Sequence, residues 1–114
     1  MDALPGLTVQ REDRLIAMQA QLIGTLDIDP WTNCVVLRPV NIDDVQFVDV
    51  AWPRGWSVTI HDGKPSLTDR AGVPVAQIGD EVSVGGGFVN TSRAEVTACT
   101  GQHAVFIASD LTRF

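Results

Sequence analysis

Along the first third of the chain, Ile16, Met18, Ala20, Leu22, Gly24, Leu26 and Ile28 put an apolar or small residue at every second position. Period two is the mark of a strand with one buried face. A helical spacing competes at the start, where Leu15, Met18 and Leu22 recur and Thr8 could serve as a cap. The alternating series is longer, and it predicts a strand from Leu15 to Asp29 with Ile16, Met18, Leu22, Leu26 and Ile28 facing inward. Gly24 in its middle marks a sharp bend or the close approach of a neighbouring backbone. The residues before it, 1–14, are expected to form an irregular or briefly helical arm on a single β-domain covering 15–114.

Asp29-Pro30-Trp31-Thr32-Asn33 has turn chemistry, and Cys34-Val35-Val36-Leu37 resumes an extended run that Pro39 ends, so the first two strands form a hairpin. Further extended runs are expected at Val45–Val50, Trp56–His61, Ser66–Thr68, Val73–Ile78, Glu81–Asn90, Glu95–Ala98 and Ala104–Ala108. They are divided by Pro53-Arg54-Gly55, Asp62-Gly63-Lys64 and Gly79-Asp80. In the run after Gly79-Asp80, Val82, Val84, Gly86 and Phe88 share one face, and Gly85-Gly86-Gly87 marks a bulge or a barrel corner. Short strands with frequent turns predict an all-β fold: a small closed or partly open barrel like the oligonucleotide/oligosaccharide-binding fold, with a small β-sandwich as the alternative. Pro74 places its strand at an edge.

A chain of 114 residues that is 45% hydrophobic supports one core. Its net charge of −6, from 8 basic and 14 acidic residues, repels phosphates and argues against nucleic acid as a partner. No apolar run is long enough for a transmembrane segment. The first twenty residues, with Glu12 and Asp13, lack the apolar centre of an export signal. Cys34 and Cys99 are too few for a structural zinc site, and are either two buried thiols or one disulfide.

Trp52-Pro53-Arg54-Gly55-Trp56 is the best candidate ligand site, because aromatic faces beside a rigid turn and an arginine can stack on a sugar, base or peptide. Trp31, in the first hairpin turn, joins it as a further candidate. The competing reading has Trp56 plugging the barrel end and Trp52 covering the same core. Asp27, Asp29, Asn33, Asp43, Asp44 and Asp49 offer oxygens for calcium but lack the glycine and terminal glutamate of a dedicated loop, so no metal site is expected. His61 and His103 could pair with Ser57, Ser66 or Asp62, yet no serine has a nucleophile-elbow context, and no catalytic residues or cofactor are expected. The three glycines lack the lysine and helix of a phosphate-binding loop.

Gly24-Thr25-Leu26, Cys34-Val35-Val36-Leu37, Trp52-Pro53-Arg54-Gly55-Trp56, Gly79-Asp80-Glu81-Val82 with Gly85-Gly86-Gly87, and Cys99 before Val105-Phe106-Ile107 form an ordered set. In this set the chain resembles small β-barrel domains of actinobacterial secreted and lipid-anchored envelope proteins. The resemblance spans roughly residues 22–108 and implies a small barrel with Cys34 and Cys99 joined. It also implies an extracytoplasmic location; without an export signal in this chain, the expectation is either a trimmed chain or a cytoplasmic relative with free thiols. The function expected is a non-catalytic binding or assembly module of the bacterial envelope with a protein or envelope-component partner. The alternative is a ligand-binding barrel that uses Arg38, Arg54, Arg70 and Arg93 with the tryptophans as a stacking platform.

Overall fold

In the computed structural model, which describes residues 4–11 and 19–114, nine strands and one short helical turn are found among the described residues. The alternating segment forms β2 (Ala20–Asp29), which turns back through Pro30–Asn33 into β3 (Cys34–Pro39) with Asp29 opposite Cys34 and Gly24 opposite Pro39. Leu22 and Leu26 are buried as the period requires. Ile28 is only half-buried and Asp29 is buried instead, because at the hairpin end the Asp29 carboxylate folds back to accept the Thr32 hydroxyl. Ile16 and Met18 lie outside the described residues. At Gly24 a Cβ would overlap the Arg38 carbonyl oxygen, so this is a close approach that only glycine permits.

Residues 4–11 include a short strand and a bridge from Gly6 to Cys34. Thr8–Val9 form β1, parallel to β4 (Val50–Trp52), and β4 is in turn parallel to β9 (Ala104–Arg113). With β8 (Glu81–Asn90), these strands make a six-stranded sheet in the order β1-β4-β9-β8-β2-β3. The sheet is strongly curled into a half-barrel. Its two edges are tied together, since Gly6 bridges Cys34 and Leu37 exchanges backbone hydrogen bonds with Val48. The buried Gln10 side chain donates to the carbonyls of Ala51 and Ala108 and fastens the N-terminal segment across β4 and β9.

A second sheet, β5 (Ser57–His61), β6 (Lys64–Thr68) and β7 (Pro74–Gln77), is a meander whose Leu67 and Ala76 join the main core of Leu22, Leu26, Leu37, Val50, Trp52, Val82, Val84 and Phe106. The fold is therefore nearly all β, a curled half-barrel with a smaller sheet, as expected for a small barrel or sandwich. The Gly79-Asp80 turn joins strands of different sheets, and Gly79 takes up φ 98° while Asp80 Oδ2 accepts the Gln77 amide. In β8 the glycine run sits at a register shift against β9, where Gly85 faces Asp110, Gly86 faces Ala108, and Ser109 is the extra residue. A Cβ on Gly86 would overlap the Ile107 carbonyl oxygen. Phe88 keeps the predicted face and sets its ring edge-on to Phe106, but remains half exposed at the margin of the sheet.

Two expected strands are absent. Only Val50 of the expected Val45–Val50 run lies in a strand: Asp44 adopts a left-handed conformation (φ 63°), Val45 is exposed, and the chain rejoins the sheet through Val48. Glu95–Ala98 follows a helical turn, α1 (Thr91–Ala94), whose first turn is capped by the Asn90 side chain accepting the Ser92 amide. Glu95 ends it in the left-handed region. Ala94 and Ala98 then pack with Ala51, Val105 and Ile107 in a second small core on the other face of the sheet.

Candidate functional site

Cys34 opens β3 directly after the turn of the first hairpin, and Cys99 lies in the loop after α1; they form a disulfide with Cα atoms 5.9 Å apart. The neighbouring strands are fixed around it. Thr8 Oγ1 accepts the Cys99 amide (2.8 Å), Gly6 donates its amide to the Asn33 carbonyl (2.8 Å), and Val35 donates to the Gly6 carbonyl (2.9 Å).

Above this point the hairpin apex is held by its own polar groups. Asp29 accepts the Thr32 hydroxyl at 2.6 Å, its carbonyl accepts the Asn33 amide at 2.8 Å, and Asn33 takes the left-handed conformation (φ 54°) that closes the turn. Asn and Asp are suited to these places because their short side chains bond nearby backbone and tolerate positive φ. The result is a fixed turn that presents Trp31 with 92% of its surface exposed, next to exposed Pro30.

The other tryptophans are elsewhere. Segment 6–9 runs from Gly6 beside Cys34 to Val9 beside Trp52, so Trp31 and Trp52 lie toward opposite ends of that segment. Trp52 is 1% exposed and its ring stacks on Trp56 at 5.6 Å and 5°. Its indole nitrogen is buried with no hydrogen-bond partner among the described residues. Trp56 is half-buried and packs against the main core. Between them Gly55 turns the chain (φ 89°), and the exposed Arg54 gives its carbonyl to Nε and Nη2 of Arg70 at 3.1 and 3.0 Å. Trp52 and Trp56 are thus core residues that touch each other, with Arg54 beside them, and Trp31 is a separate surface feature. The arginines are dispersed: Arg38 pairs with Asp27 on the β2–β3 hairpin, Arg54 and Arg70 lie together, and Arg93 is on α1.

Asp27 is partly buried, which pushes its carboxyl up, but hydrogen bonds from Arg38 and the Ile28 amide, with the charge of Arg38, outweigh this and hold it below the ordinary value. Asp49 is the opposite case. It is fully buried, one oxygen accepts the Thr100 hydroxyl, and the other has no partner among the described residues. Burial pushes its carboxyl up, the Thr100 hydrogen bonds only partly oppose this, and the charge of Asp29 adds to the rise. Its sequence context, Val48-Asp49-Val50, gave one signal: an acid inside an apolar run. Among the described residues no three His, Cys, Asp or Glu side chains gather as metal ligands.

His61 lies 3.6 Å from Asp62 at the tip of the β5–β6 hairpin, both exposed. They border an open cleft of ≈ 200 Å³ with Pro74, Ala76, Gln77 and Arg113. Ser57 is four residues away along the same strand, about 13 Å at the rise of a strand, and Ser66 is buried with its hydroxyl on the Lys64 carbonyl. His103 is exposed, and its carbonyl accepts the Thr91 amide. In the glycine run, the Gly85 amide is taken by the Asp110 carboxylate (3.0 Å).

Comparison with protein-family models, with curated proteins and with solved structures gives no match. Among the described residues, no helix is long and apolar enough to cross a membrane.

Proposed function

We propose that this domain is a non-catalytic binding module of an oxidising compartment, the bacterial envelope, and that it meets a protein or envelope-component partner through the Trp31 hairpin. The observation that carries the reading is one indole almost wholly in solvent on a turn pinned by a disulfide. Tryptophan is costly to leave in water and contributes strongly when an interface covers it. A turn already held in place loses little conformational freedom on binding, which favours affinity. A disulfide closing a long loop persists where thiols are oxidised, which supports a location outside the reducing cytosol.

A stacking platform for nucleic acid or sugar is the weaker reading, because Trp52 has both its burial and its stacking committed to the core and, apart from Arg54 with Arg70, the candidate arginines sit on different elements. The test is binding of an envelope extract from the host to the immobilised domain. Trp31→Ala is expected to abolish the interaction and Arg54→Ala to leave it intact; equal binding by Trp31→Ala and the unsubstituted domain contradicts the proposal.

A further inference from the structure

The sheet edges of this molecule are treated unequally. The half-barrel ties its two edges to each other through Gly6 and Val48, and the outer strand β7 begins at Pro74, which brings no N–H, beside a register shift between Leu67 and Thr68. β5, Ser57-Val58-Thr59-Ile60-His61, has none of the devices that normally block edge pairing: no proline, no lysine, no acid and no bulge.

Its register shows which groups face outward. Asp62 and Gly63 (φ 52° and 78°) make a two-residue turn between the paired His61 and Lys64. A turn of this type makes the flanking pair hydrogen-bonded, and the pairs then alternate, so Thr59/Ser66 and Ser57/Thr68 are bonded while Val58/Leu67 and Ile60/Pro65 are not. Pro65, which has no N–H, fits that assignment. The backbone groups of Val58 and Ile60 therefore point away from β6, and no described residue bonds them. Ile60 itself is 58% exposed.

We infer that β5 pairs with β5 of a second copy of this chain, antiparallel about a two-fold axis at Thr59. That axis sets Val58 opposite Ile60 of the other copy and Ile60 opposite its Val58, so both outward-facing residues of each strand meet their counterparts in bonded pairs. Two three-stranded sheets become one of six strands, and each Ile60 side chain comes to lie against the half-buried Val58 of the other copy. The ends are complementary in charge. The beginning of β5 carries Arg54 with Arg70 beside it and the end carries Asp62, and antiparallel docking brings each end against the other; Lys64 belongs to β6, one strand further from the axis. A contact of this kind is isologous and closes as a dimer.

Sedimentation equilibrium of the intact chain over a range of concentrations is expected to show a molar mass rising twofold. Ile60→Pro removes an outward N–H while sparing the ladder to β6, and is expected to stay at the mass of one chain with an unchanged far-ultraviolet circular dichroism spectrum. Should Ile60→Pro fail to fold, cross-linking decides. Thr59→Cys places two thiols across the axis, with Cα atoms about 4.5 Å apart as in a non-bonded pair, and is expected to form an intermolecular disulfide on oxidation. Ser57→Cys, whose two copies would stand about 13 Å apart, is not. A single-chain mass at every concentration, or equal cross-linking by the two cysteine variants, overturns the inference.

Discussion

Cys99 reaches across the molecule to Cys34, 65 residues earlier in the chain, and the bond lands directly beside the turn that carries Trp31. Because Thr8 also receives the Cys99 amide, the disulfide joins three separate pieces of chain: the N-terminal segment, the first hairpin and the loop after α1. What it holds in place is the surface that the proposed function uses.

Removing that bond should be costly. Closing a loop of this length restricts the unfolded chain by an amount on the order of 4 kcal/mol in the chain-entropy account. The Cys34→Ala, Cys99→Ala double variant is expected to unfold at a lower urea concentration by roughly that free energy, and reduction of the unsubstituted chain should give a similar loss. An unchanged midpoint contradicts this.

The buried carboxyl of Asp49 predicts an unusual dependence on pH. Its folded-state value is raised, so between the ordinary carboxylate value and that raised value the folded chain holds a proton that the unfolded chain has released. The contribution from Asp49 is full at low pH and is lost as pH rises through this window. Asp27, held below its ordinary value, acts in the opposite sense and loses its contribution as pH falls, though its exposure keeps that effect small. Chemical denaturation at a series of pH values is expected to show a component that declines with rising pH in the unsubstituted chain and is missing in Asp49→Asn.

Two core positions test the fold. Leu26 is 1% exposed in the main cluster, and Leu26→Ala is expected to cost roughly 2–5 kcal/mol. Gly86→Ala places a methyl group on the Ile107 carbonyl, and is expected to destabilise by displacing β8 from β9 at the bulge. A near-neutral result for either, by urea unfolding, contradicts the core assignment or the register.

These positions also mark what could be read from the chain. Leu22, Gly24 and Leu26 announced a strand because period two is a local property, Gly24 announced a bend or a close backbone approach, and the run Gly85-Gly86-Gly87 announced the bulge found against β9. Thr8–Val9 gave no such notice: a two-residue parallel strand is defined by its partner β4, over forty residues away, and leaves no periodic pattern. The brief helix Thr91–Ala94 rests on one cap at Asn90, within a stretch whose flanks read as extended. In the candidate site, the competing reading of the Trp52–Trp56 loop as core is the one the structure bears out. Trp52 and Trp56 do meet, but as core residues, and the exposed indole is Trp31 in a turn whose composition said only that the chain reverses there.

The acidic chain, whose candidate arginines cluster only as the pair Arg54 and Arg70, predicts weak affinity for nucleic acid. Phosphate neutralisation drives such binding, and it needs cations on one surface. A fluorescence titration with single-stranded DNA at physiological salt is expected to show no submicromolar binding; a tight, salt-sensitive association would promote the stacking-platform reading.

Tryptophan emission reads directly whether a partner covers Trp31. Trp52 is buried and Trp56 half-buried, so quenching by iodide in the free domain should come mainly from Trp31 and should largely vanish in Trp31→Ala. On addition of the partner-containing envelope fraction, the account predicts a blue shift with loss of iodide quenching in the unsubstituted domain and no change in Trp31→Ala. An emission change that persists in Trp31→Ala, or binding that leaves Trp31 fully quenchable, would contradict it.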